Sequence, residues 1–280
     1  MERKPEWLKI KVNAEHKDVS KLLRKNNLHT VCEEAFCPNR MECFAKKTAT
    51  FMILGEVCTR NCRYCNVTSG NPKPVVDDSE NILETISKLG LKYVVVTSVT
   101  RDDLKDGGAS QFVKVIEKVK DKECKIEVLI PDFLGDLSAL KKVVMSKPDV
   151  LNHNIETTKN IFSSVRPKGD YNQSLELIKR VKEIDPNMTT KSGFMVGLGE
   201  SYEDVVETLK DLRSVNCDIV TIGQYLQPSK DNIKVAEYIH IDKFEEFKKI
   251  GLKLGFKNVY SGPFVRSSYN AEEIYEGEDI

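Results

Sequence analysis

The sequence predicts an α/β fold, a partial TIM-type barrel of about six strand–helix units with N- and C-terminal extensions. Short apolar segments alternate with longer amphipathic segments along the middle of the chain. The apolar segments have the near-continuous hydrophobic character of strands that are buried on both faces of a parallel sheet. The length of 280 residues also fits one α/β barrel, because such barrels commonly span roughly 200 to 250 residues.

Six segments are predicted as strands because each is a short apolar run. They are Ala49–Leu54, Tyr93–Thr97, Lys125–Ile130, Val150–Asn154, Thr190–Val196 and Ile219–Gly223. Helical segments separate them, which indicates parallel pairing.

The segments between and after these strands are predicted as helices, because their apolar residues recur at i, i+3 and i+4. They are Ser79–Leu89, Ala109–Lys120, Leu137–Ser146, Asn172–Glu183, Tyr202–Ser214 and Asp242–Leu254. The stretches "DDSEN" and "GESYED" supply capping side chains at helix starts.

The predicted barrel divides the chain into three parts. Residues 1–47 form an N-terminal extension, residues 48–255 the barrel, and residues 256–280 a C-terminal extension. The final stretch "EEIYEGEDI" indicates a solvated acidic tail.

The charge balance narrows the possible partners. Lys+Arg and Asp+Glu both number 43, so the formal net charge is zero, and no global field favours nucleic acid or an anionic membrane. No apolar run approaches the ~18 residues of a membrane span, and the N-terminal stretch lacks an apolar signal core. We therefore expect a cytoplasmic protein without nucleic-acid or membrane partners.

Cysteine is the residue type that carries the functional signal. Eight cysteines in a reducing compartment indicate metal or redox chemistry more than disulfides. Six of them form two triplets, Cys32, Cys37, Cys43 and Cys58, Cys62, Cys65. The other two, Cys124 and Cys217, lie on apolar segments and are expected to be buried core thiols.

The second triplet has C-x3-C-x2-C spacing and directly follows the first predicted strand. In an α/β barrel, the loops after the strands gather at the mouth, where the chemistry takes place. A structural zinc site needs four ligands, and 4Fe–4S clusters are usually held by four cysteines. Three thiolates therefore leave one metal position open to a substrate or cofactor.

These motifs resemble those of a known enzyme family. "CTRNCRYC" matches the signature of radical S-adenosylmethionine enzymes. The chain is similar to the lipoyl synthases in particular, through "CEEAFCPNRMEC", "TSVTRDDLKDGGASQF", "NHNIET", "VRPKGDYNQSL", "KSGFMVGLGE", "YLQPS" and "GPFVRSSY". The motifs extend from residue 32 to residue 269 and so cover most of the chain.

The resemblance implies two 4Fe–4S clusters. Cys58, Cys62 and Cys65 would hold one of them, with the amino and carboxylate groups of S-adenosylmethionine as the fourth ligand. The first triplet would hold an auxiliary cluster whose fourth ligand is the second serine of "RSSY": Cys32, Cys37, Cys43 and Ser268. A serine oxygen is a harder and more labile ligand for iron than a thiolate, which suits a cluster that is taken apart.

The resemblance also implies the reaction and its partners. The cofactor cluster would cleave S-adenosylmethionine to a 5'-deoxyadenosyl radical, which removes hydrogen from C6 and C8 of a protein-bound octanoyl chain, and the auxiliary cluster would supply sulfur. The expected substrates are octanoylated lipoyl-carrier domains of 2-oxoacid dehydrogenase complexes or the glycine cleavage H protein. The expected electron donor is ferredoxin or flavodoxin.

Polar residues near the predicted strand ends are candidates for S-adenosylmethionine binding. Glu156 and Asn154 could accept hydrogen bonds from the ribose or ammonium, and Arg166 or Lys191 could bind the carboxylate. The full candidate set is Tyr64, Thr97, Ser98, Asn154, Glu156, Arg166 and Lys191. Simpler roles stay open: "VRPKGD" could be a charged surface loop, and Tyr64 could simply fill its own loop.

Two other functions compete with this interpretation. Six cysteines could form a zinc-cluster binding module, although such modules are compact and basic. Biotin synthase and other sulfur-inserting or methylthiolating enzymes share the three-cysteine loop, whereas the pairing of C-x4-C-x5-C with "RSSY" favours lipoyl synthase. The four histidines show no metal-ligand spacing and are expected to be surface or satisfied core residues.

Overall fold

The computed structural model describes residues 5–8, 17–46 and 48–277. Eight strands form one sheet in chain order. They are β1 (His29–Thr30), β2 (Thr50–Ile53), β3 (Tyr93–Ser98), β4 (Lys125–Leu129), β5 (Val150–Asn152), β6 (Thr189–Val196), β7 (Ile219–Gln224) and β8 (Asn258–Gly262). The α-helices are α1 (Lys17–Lys25), α2 (Val31–Glu34), α3 (Arg40–Ala45), α4 (Ser79–Leu89), α5 (Ala109–Lys120), α6 (Leu137–Met145), α7 (Phe162–Val165), α8 (Tyr171–Ile184), α9 (Tyr202–Ser214), α10 (Ile241–Leu254) and α11 (Ala271–Glu276).

Strands β2 to β8 are parallel, and each pairs with the next strand along the chain. Strand β1 pairs antiparallel with β2. Within the described ranges, β1 and β8 are the two edges of the sheet, so the barrel is open. The predicted partial TIM-type barrel is confirmed, and so are its six strands and six helices, with small differences at their ends.

The two faces of the sheet have different surroundings. Val94 and Val96 of β3 belong to the large apolar core that includes the surrounding helices, whereas Tyr93 and Val95 form a separate cluster with Ala271 of α11. Side chains alternate across a strand, so the second pair faces the lumen. Helix α11 packs against β3 from inside, with the Tyr275 ring centroid 5.8 Å from that of Tyr93.

Helix α11 corrects the prediction of a solvated acidic tail over residues 272–276, the part of the predicted tail that lies in this helix. Ala271 and Ile274 are buried, and the Asn258 side chain donates to the Ile274 carbonyl at 2.9 Å. Residues 278–280 and His16 lie outside the described residues. Strand β8 also lies beyond the proposed barrel boundary at residue 255, although it pairs with β7; the three-part division itself stays a prediction.

No helix in the part of the chain that the structure describes is long and apolar enough to cross a membrane.

Candidate active site

The second cysteine triplet lies in the loop after β2, at the mouth of the barrel. Backbone hydrogen bonds fold this loop back on itself, since the Cys58 N–H donates to Thr68 O at 2.8 Å and Gly70 N–H donates to Cys58 O at 2.9 Å. The Cys65 N–H donates to Cys62 O at 3.1 Å. The three thiols are thus held in one tight loop.

Arg60, between two of these cysteines, anchors the loop to the barrel. Its guanidinium forms bidentate ion pairs with Asp102, after β3, and with Asp132, after β4, at 2.6 to 2.9 Å. Burial raises the pKa of Asp132, but the Arg60 hydrogen bonds outweigh this and hold that pKa at about 2. Bidentate arginine–carboxylate pairs fix orientation as well as distance.

Two more contacts fix the ends of the same loop. The Thr59 N–H donates to Thr100 O at 3.0 Å, and the Asn232 side chain donates to Cys65 O at 2.8 Å. The Cys58 sulfur accepts backbone N–H groups of Arg60 at 3.4 Å and Thr100 at 3.3 Å. Such N–H···S bonds tune the potential of an iron–sulfur cluster.

The sulfurs of the second triplet are near one another, yet not as close as the ligands of a single zinc ion. Burial, reinforced by Cys62 and Cys58, raises the pKa of Cys65 to about 12, so the three thiols are close enough to interact. A bound metal cation has the opposite effect on the pKa of these thiols, because it favours the thiolates. Tetrahedral zinc with Zn–S bonds near 2.3 Å would bring its sulfurs to about 3.8 Å from one another. Among the described residues, neither cysteine triplet has its three sulfurs within 4.8 Å of one another.

The first triplet lies beside this loop, with Cys32 on α2, Cys43 on α3 and Cys37 between the two helices. Thr30 caps α2 by accepting the Glu33 N–H at 3.3 Å, and the antiparallel β1–β2 pairing positions that helix. Burial, followed by the nearby Cys37, raises the pKa of Cys32 to about 12. Burial and Cys37 likewise raise the pKa of Cys43 to about 11. These three sulfurs therefore also form one electrostatically coupled group.

The serine motif, "RSSY" at residues 266–269, lies between the first triplet and the barrel. The Asn39 side chain donates to Phe264 O at 2.6 Å, and the Tyr269 hydroxyl donates to Glu42 at 2.9 Å. Gly223 at the end of β7 permits this path, since a Cβ there would lie 2.1 Å from Val265 O. The segment from residue 264 to residue 269 thus packs directly against α3.

The two serines of the motif differ in their contacts. Ser267 Oγ accepts the side-chain amide of Asn154 at 3.2 Å, whereas the Ser268 hydroxyl makes no hydrogen bond in the part of the chain that the structure describes. The Tyr269 N–H donates to Arg266 O at 3.0 Å, so the motif is a turn. Of the two serines, Ser267 is thus the one whose hydroxyl is already engaged by the barrel.

Four of the candidate cofactor residues meet at the mouth above Cys62. Burial raises the pKa of Glu156, while Arg166, Asn154 and Tyr64 stabilise its ionised form. The φ angle of Glu156 is 73°, in the left-handed region that side chains with a Cβ rarely adopt. Strained residues of this kind cluster at functional sites.

Two buried polar atoms in this group have no hydrogen-bond partner among the described residues. They are Asn154 Oδ1, an acceptor, and Arg166 Nε, a donor. The other nitrogens of Arg166 contact Asn154 O at 3.2 Å and Asp132 at 3.9 Å. Buried polar groups are usually satisfied, so this pair fits a polar ligand such as S-adenosylmethionine.

Thr97 and Ser98 are adjacent on β3 and point to opposite faces of the sheet. Register places Thr97 on the lumen side, and its hydroxyl donates to Leu129 O at 3.0 Å. The buried Ser98 hydroxyl has no partner within the described residues. These two neighbours cannot both face a ligand in the lumen.

Lys191 corrects one prediction, because its amine is not available to a cofactor. It lies near the N-terminal end of β6, deep in the lumen, and pairs with Glu127 at 3.0 Å. Tyr93 and Asn152 complete this buried network with bonds to Glu127 of 3.0 and 2.9 Å. The sequence placed Lys191 on the correct strand and near its start, which is the end opposite the barrel mouth.

The remaining cysteines and the buried histidine are structural. Cys124 and Cys217 are buried, as predicted. His153 contacts Ile130 O at 2.9 Å and Ser174 Oγ at 3.2 Å, which confirms it as a satisfied core residue.

Comparison with known proteins agrees with this arrangement. Residues 52–212 match the Radical SAM superfamily. The lipoyl synthase of Caldanaerobacter subterraneus subsp. tengcongensis is 55% identical over 273 residues and covers 96% of both chains. That of Caldicellulosiruptor saccharolyticus is 56% identical over 276 residues, covering 97% of both.

The fold is also shared with distant solved structures. HydG, a maturase of the [FeFe]-hydrogenase, superimposes with a TM-score of 0.59 at 16% identity, over 94% of this chain and 66% of that one. This likeness concerns the fold alone. The sequence identity to relatives that match over nearly their full length shows more than the fold. The chain belongs to the lipoyl synthase family, a family of radical SAM enzymes that transfers sulfur.

Proposed function

We propose that this chain inserts sulfur at C6 and C8 of an octanoyl group carried on a lysine of a carrier protein. One observation carries the proposal: the serine segment contacts both halves of the site. Ser267 bonds to Asn154 beside the cofactor pocket, while Tyr269 bonds to Glu42 between the cysteines of the first triplet. Hydrogen removal and sulfur supply must reach the same carbon, so the two sites must be adjacent.

Two 4Fe–4S clusters and S-adenosylmethionine fit these residues. When bound, they supply a 5'-deoxyadenosyl radical and the sulfur atoms, which are chemistry that protein side chains lack. Cys58, Cys62 and Cys65 would hold the first cluster. The auxiliary cluster would be held by Cys32, Cys37, Cys43 and Ser268.

The pocket residues orient the cofactor. We assign the Glu156 carboxylate to an ammonium or ribose hydroxyl, because burial raises its pKa and a ligand cation or donor at the mouth would offset that burial. We assign Arg166 Nε to a carboxylate oxygen, since this buried donor has no partner among the described residues. Tyr64 packs with Val165, Leu198 and Tyr225 and covers the pocket from one side.

The barrel floor excludes water from below. Lys191 and Glu127 pair with almost no exposure, and α11 closes the lumen beneath them through Ala271 and Tyr275. Exclusion of water protects a reactive radical from side reactions. Substrate must therefore enter from the mouth.

The partners follow from this assignment. The substrate would be an octanoylated lipoyl-carrier domain of a 2-oxoacid dehydrogenase complex or the glycine cleavage H protein. Electrons would come from ferredoxin or flavodoxin. Eight free cysteines support a reducing, cytoplasmic location.

A single-turnover reaction tests the proposal. The anaerobically reconstituted protein is mixed with an octanoylated carrier peptide, dithionite and S-adenosylmethionine, and the peptide mass is measured. We expect two sulfurs at C6 and C8 and at most about one lipoyl group per chain, because the auxiliary cluster is consumed. A methylthiolated product, or an unchanged peptide with abundant 5'-deoxyadenosine, would contradict the assignment.

A further inference from the structure

The loop after β4 has an unusual backbone. Phe133 and Leu134 have φ angles of 48° and 53°, and Gly135 follows at 78°. Two consecutive residues with side chains in the left-handed region are unfavourable, because the Cβ crowds the following carbonyl. Such strain persists only where neighbouring contacts impose it.

Several contacts hold this loop in one shape. Asp132 Oδ1 accepts the Leu134 N–H at 3.1 Å, and the Gly135 carbonyl accepts from Arg180 at 3.1 Å. Phe133 is buried, with its ring centroid 6.4 Å from that of Phe112. Gly107 makes room for that ring, since a Cβ there would lie 2.9 Å from it. The loop is therefore rigid.

The strained backbone holds the side chain of Leu134 in solvent. Leu134 is 63% exposed, and Leu137, three residues later, is 50% exposed. Leu134 lines a cleft of about 250 Å³ that separates this loop from residues 102–107. The exposed Lys105 also lines the cleft. An apolar side chain that strained backbone holds in solvent beside a cleft points to a partner.

The tip lies close to the reacting centre. Asp132 bonds both Leu134 and Arg60, and the Arg60 N–H is 3.4 Å from the Cys58 sulfur. A lysine side chain that carries an octanoyl group spans roughly 15 Å from Cα to C8. A carrier whose acyl chain reaches the pocket must therefore bring its surface against the rim of the barrel mouth.

We propose that Leu134, with Leu137 and the adjoining cleft, is the docking point for the folded carrier domain, through an apolar spot beside its acylated lysine. This inference rests on the proposed function. It assigns the strained loop to recognition of the carrier, separately from recognition of the octanoyl chain.

Two leucine variants test the docking point. Leu134→Asp is compared with Leu252→Asp, since Leu252 is 46% exposed near the C-terminal end of α10, away from the mouth. The substrates are an octanoylated carrier domain and a short octanoylated peptide from the same domain. We expect Leu134→Asp to raise the Kd of the carrier domain about tenfold, and to lower the ratio of kcat/KM for carrier over peptide by about the same factor. Leu252→Asp should change neither.

A third variant separates recognition from folding. Leu134→Gly relieves the left-handed strain, so it should raise the midpoint of denaturant unfolding while still weakening carrier binding. Unchanged carrier affinity in Leu134→Asp and Leu134→Gly would overturn the proposal. Equal losses on carrier and peptide would also overturn it, as would a change only in the oligomeric state, which would assign the tip to a second copy of the chain. If the unaltered protein acts on neither substrate, the proposed function itself fails.

Discussion

Cys62 and Cys37 belong to different triplets, so the alanine variant of each serves as the control for the other. Cys62→Ala removes a thiolate beside Glu156 and Arg166, so we expect S-adenosylmethionine cleavage to fall by more than roughly 100-fold. Cys37→Ala should keep that cleavage and form no lipoyl product, because it affects only the sulfur donor. The measurements are 5'-deoxyadenosine and product mass in one turnover. Normal lipoyl yield from Cys37→Ala would return the first triplet to a structural role.

Variants of the neighbouring Ser267 and Ser268 test which of the two serines is the cluster ligand. Ser268→Ala should impair sulfur insertion and leave cofactor cleavage intact, while Ser268→Cys should keep the auxiliary cluster and slow sulfur release, since thiolate binds iron more firmly than alkoxide. Ser267→Ala loses the bond to Asn154 and should mainly weaken cofactor binding. Cluster spectra and single-turnover yields decide between them. An insertion defect confined to Ser267→Ala would move the ligand by one residue.

His153 predicts a pH dependence of stability. Burial, reinforced by the Arg166 cation, lowers its pKa from 6.5 to about 4. Below pH 6.5 the unfolded chain binds a proton that the native protein does not, so the free energy of unfolding should fall as the pH drops toward 4, by up to about 3 kcal/mol. Denaturant unfolding at several pH values measures this. His153→Gln should flatten the slope, whereas the exposed His240→Gln should not.

The site residues stay predictions, and the sequence did not show how the structure holds them. Spacing alone identified the cysteine triplets, because covalent order keeps ligands of one loop together. Arg60 was missed, since its partners Asp102 and Asp132 follow different strands; an arginine between metal-binding cysteines, with an aspartate after each of two strands, was the available signal. The pairing of Lys191 was missed because its partner Glu127 lies on a different strand, so the sequence does not show that the amine is already occupied.

At the scale of elements, apolar strands and amphipathic helices were predictable and the edges of the sheet were not. The two-residue strand β1 forms through backbone pairing, for which two side chains give no pattern. Strand β8 is mostly half-buried, so it lacks the apolar run of a central strand. In α11, acidic residues concealed a stripe formed by Ala271, Ile274 and Tyr275 at i, i+3 and i+4.

Helix α11 is predicted to stabilise the barrel. Ile274 is 1% exposed, and truncating a buried isoleucine leaves a cavity that typically costs about 3 kcal/mol. Ile274→Ala should therefore lower the free energy of unfolding by about that amount, measured by denaturant titration. Glu276→Ala is the matched control, because Glu276 is exposed on the same helix. An equal, small effect from both variants would show that the helix contributes little.

At the scale of the whole molecule, a count of bound metal tests the assignments of both clusters at once. The sulfurs of each triplet are spread more widely than a single zinc ion requires, and each triplet is one ligand short of the usual four cysteines of a cubane. We therefore expect about eight irons and about eight sulfides per reconstituted chain, as two 4Fe–4S clusters contain. Cys62→Ala and Cys37→Ala should each keep about half of the iron, because the triplets are separate loops. Tightly bound zinc without a visible chromophore would contradict both cluster assignments and, with them, the separation of hydrogen removal from sulfur supply.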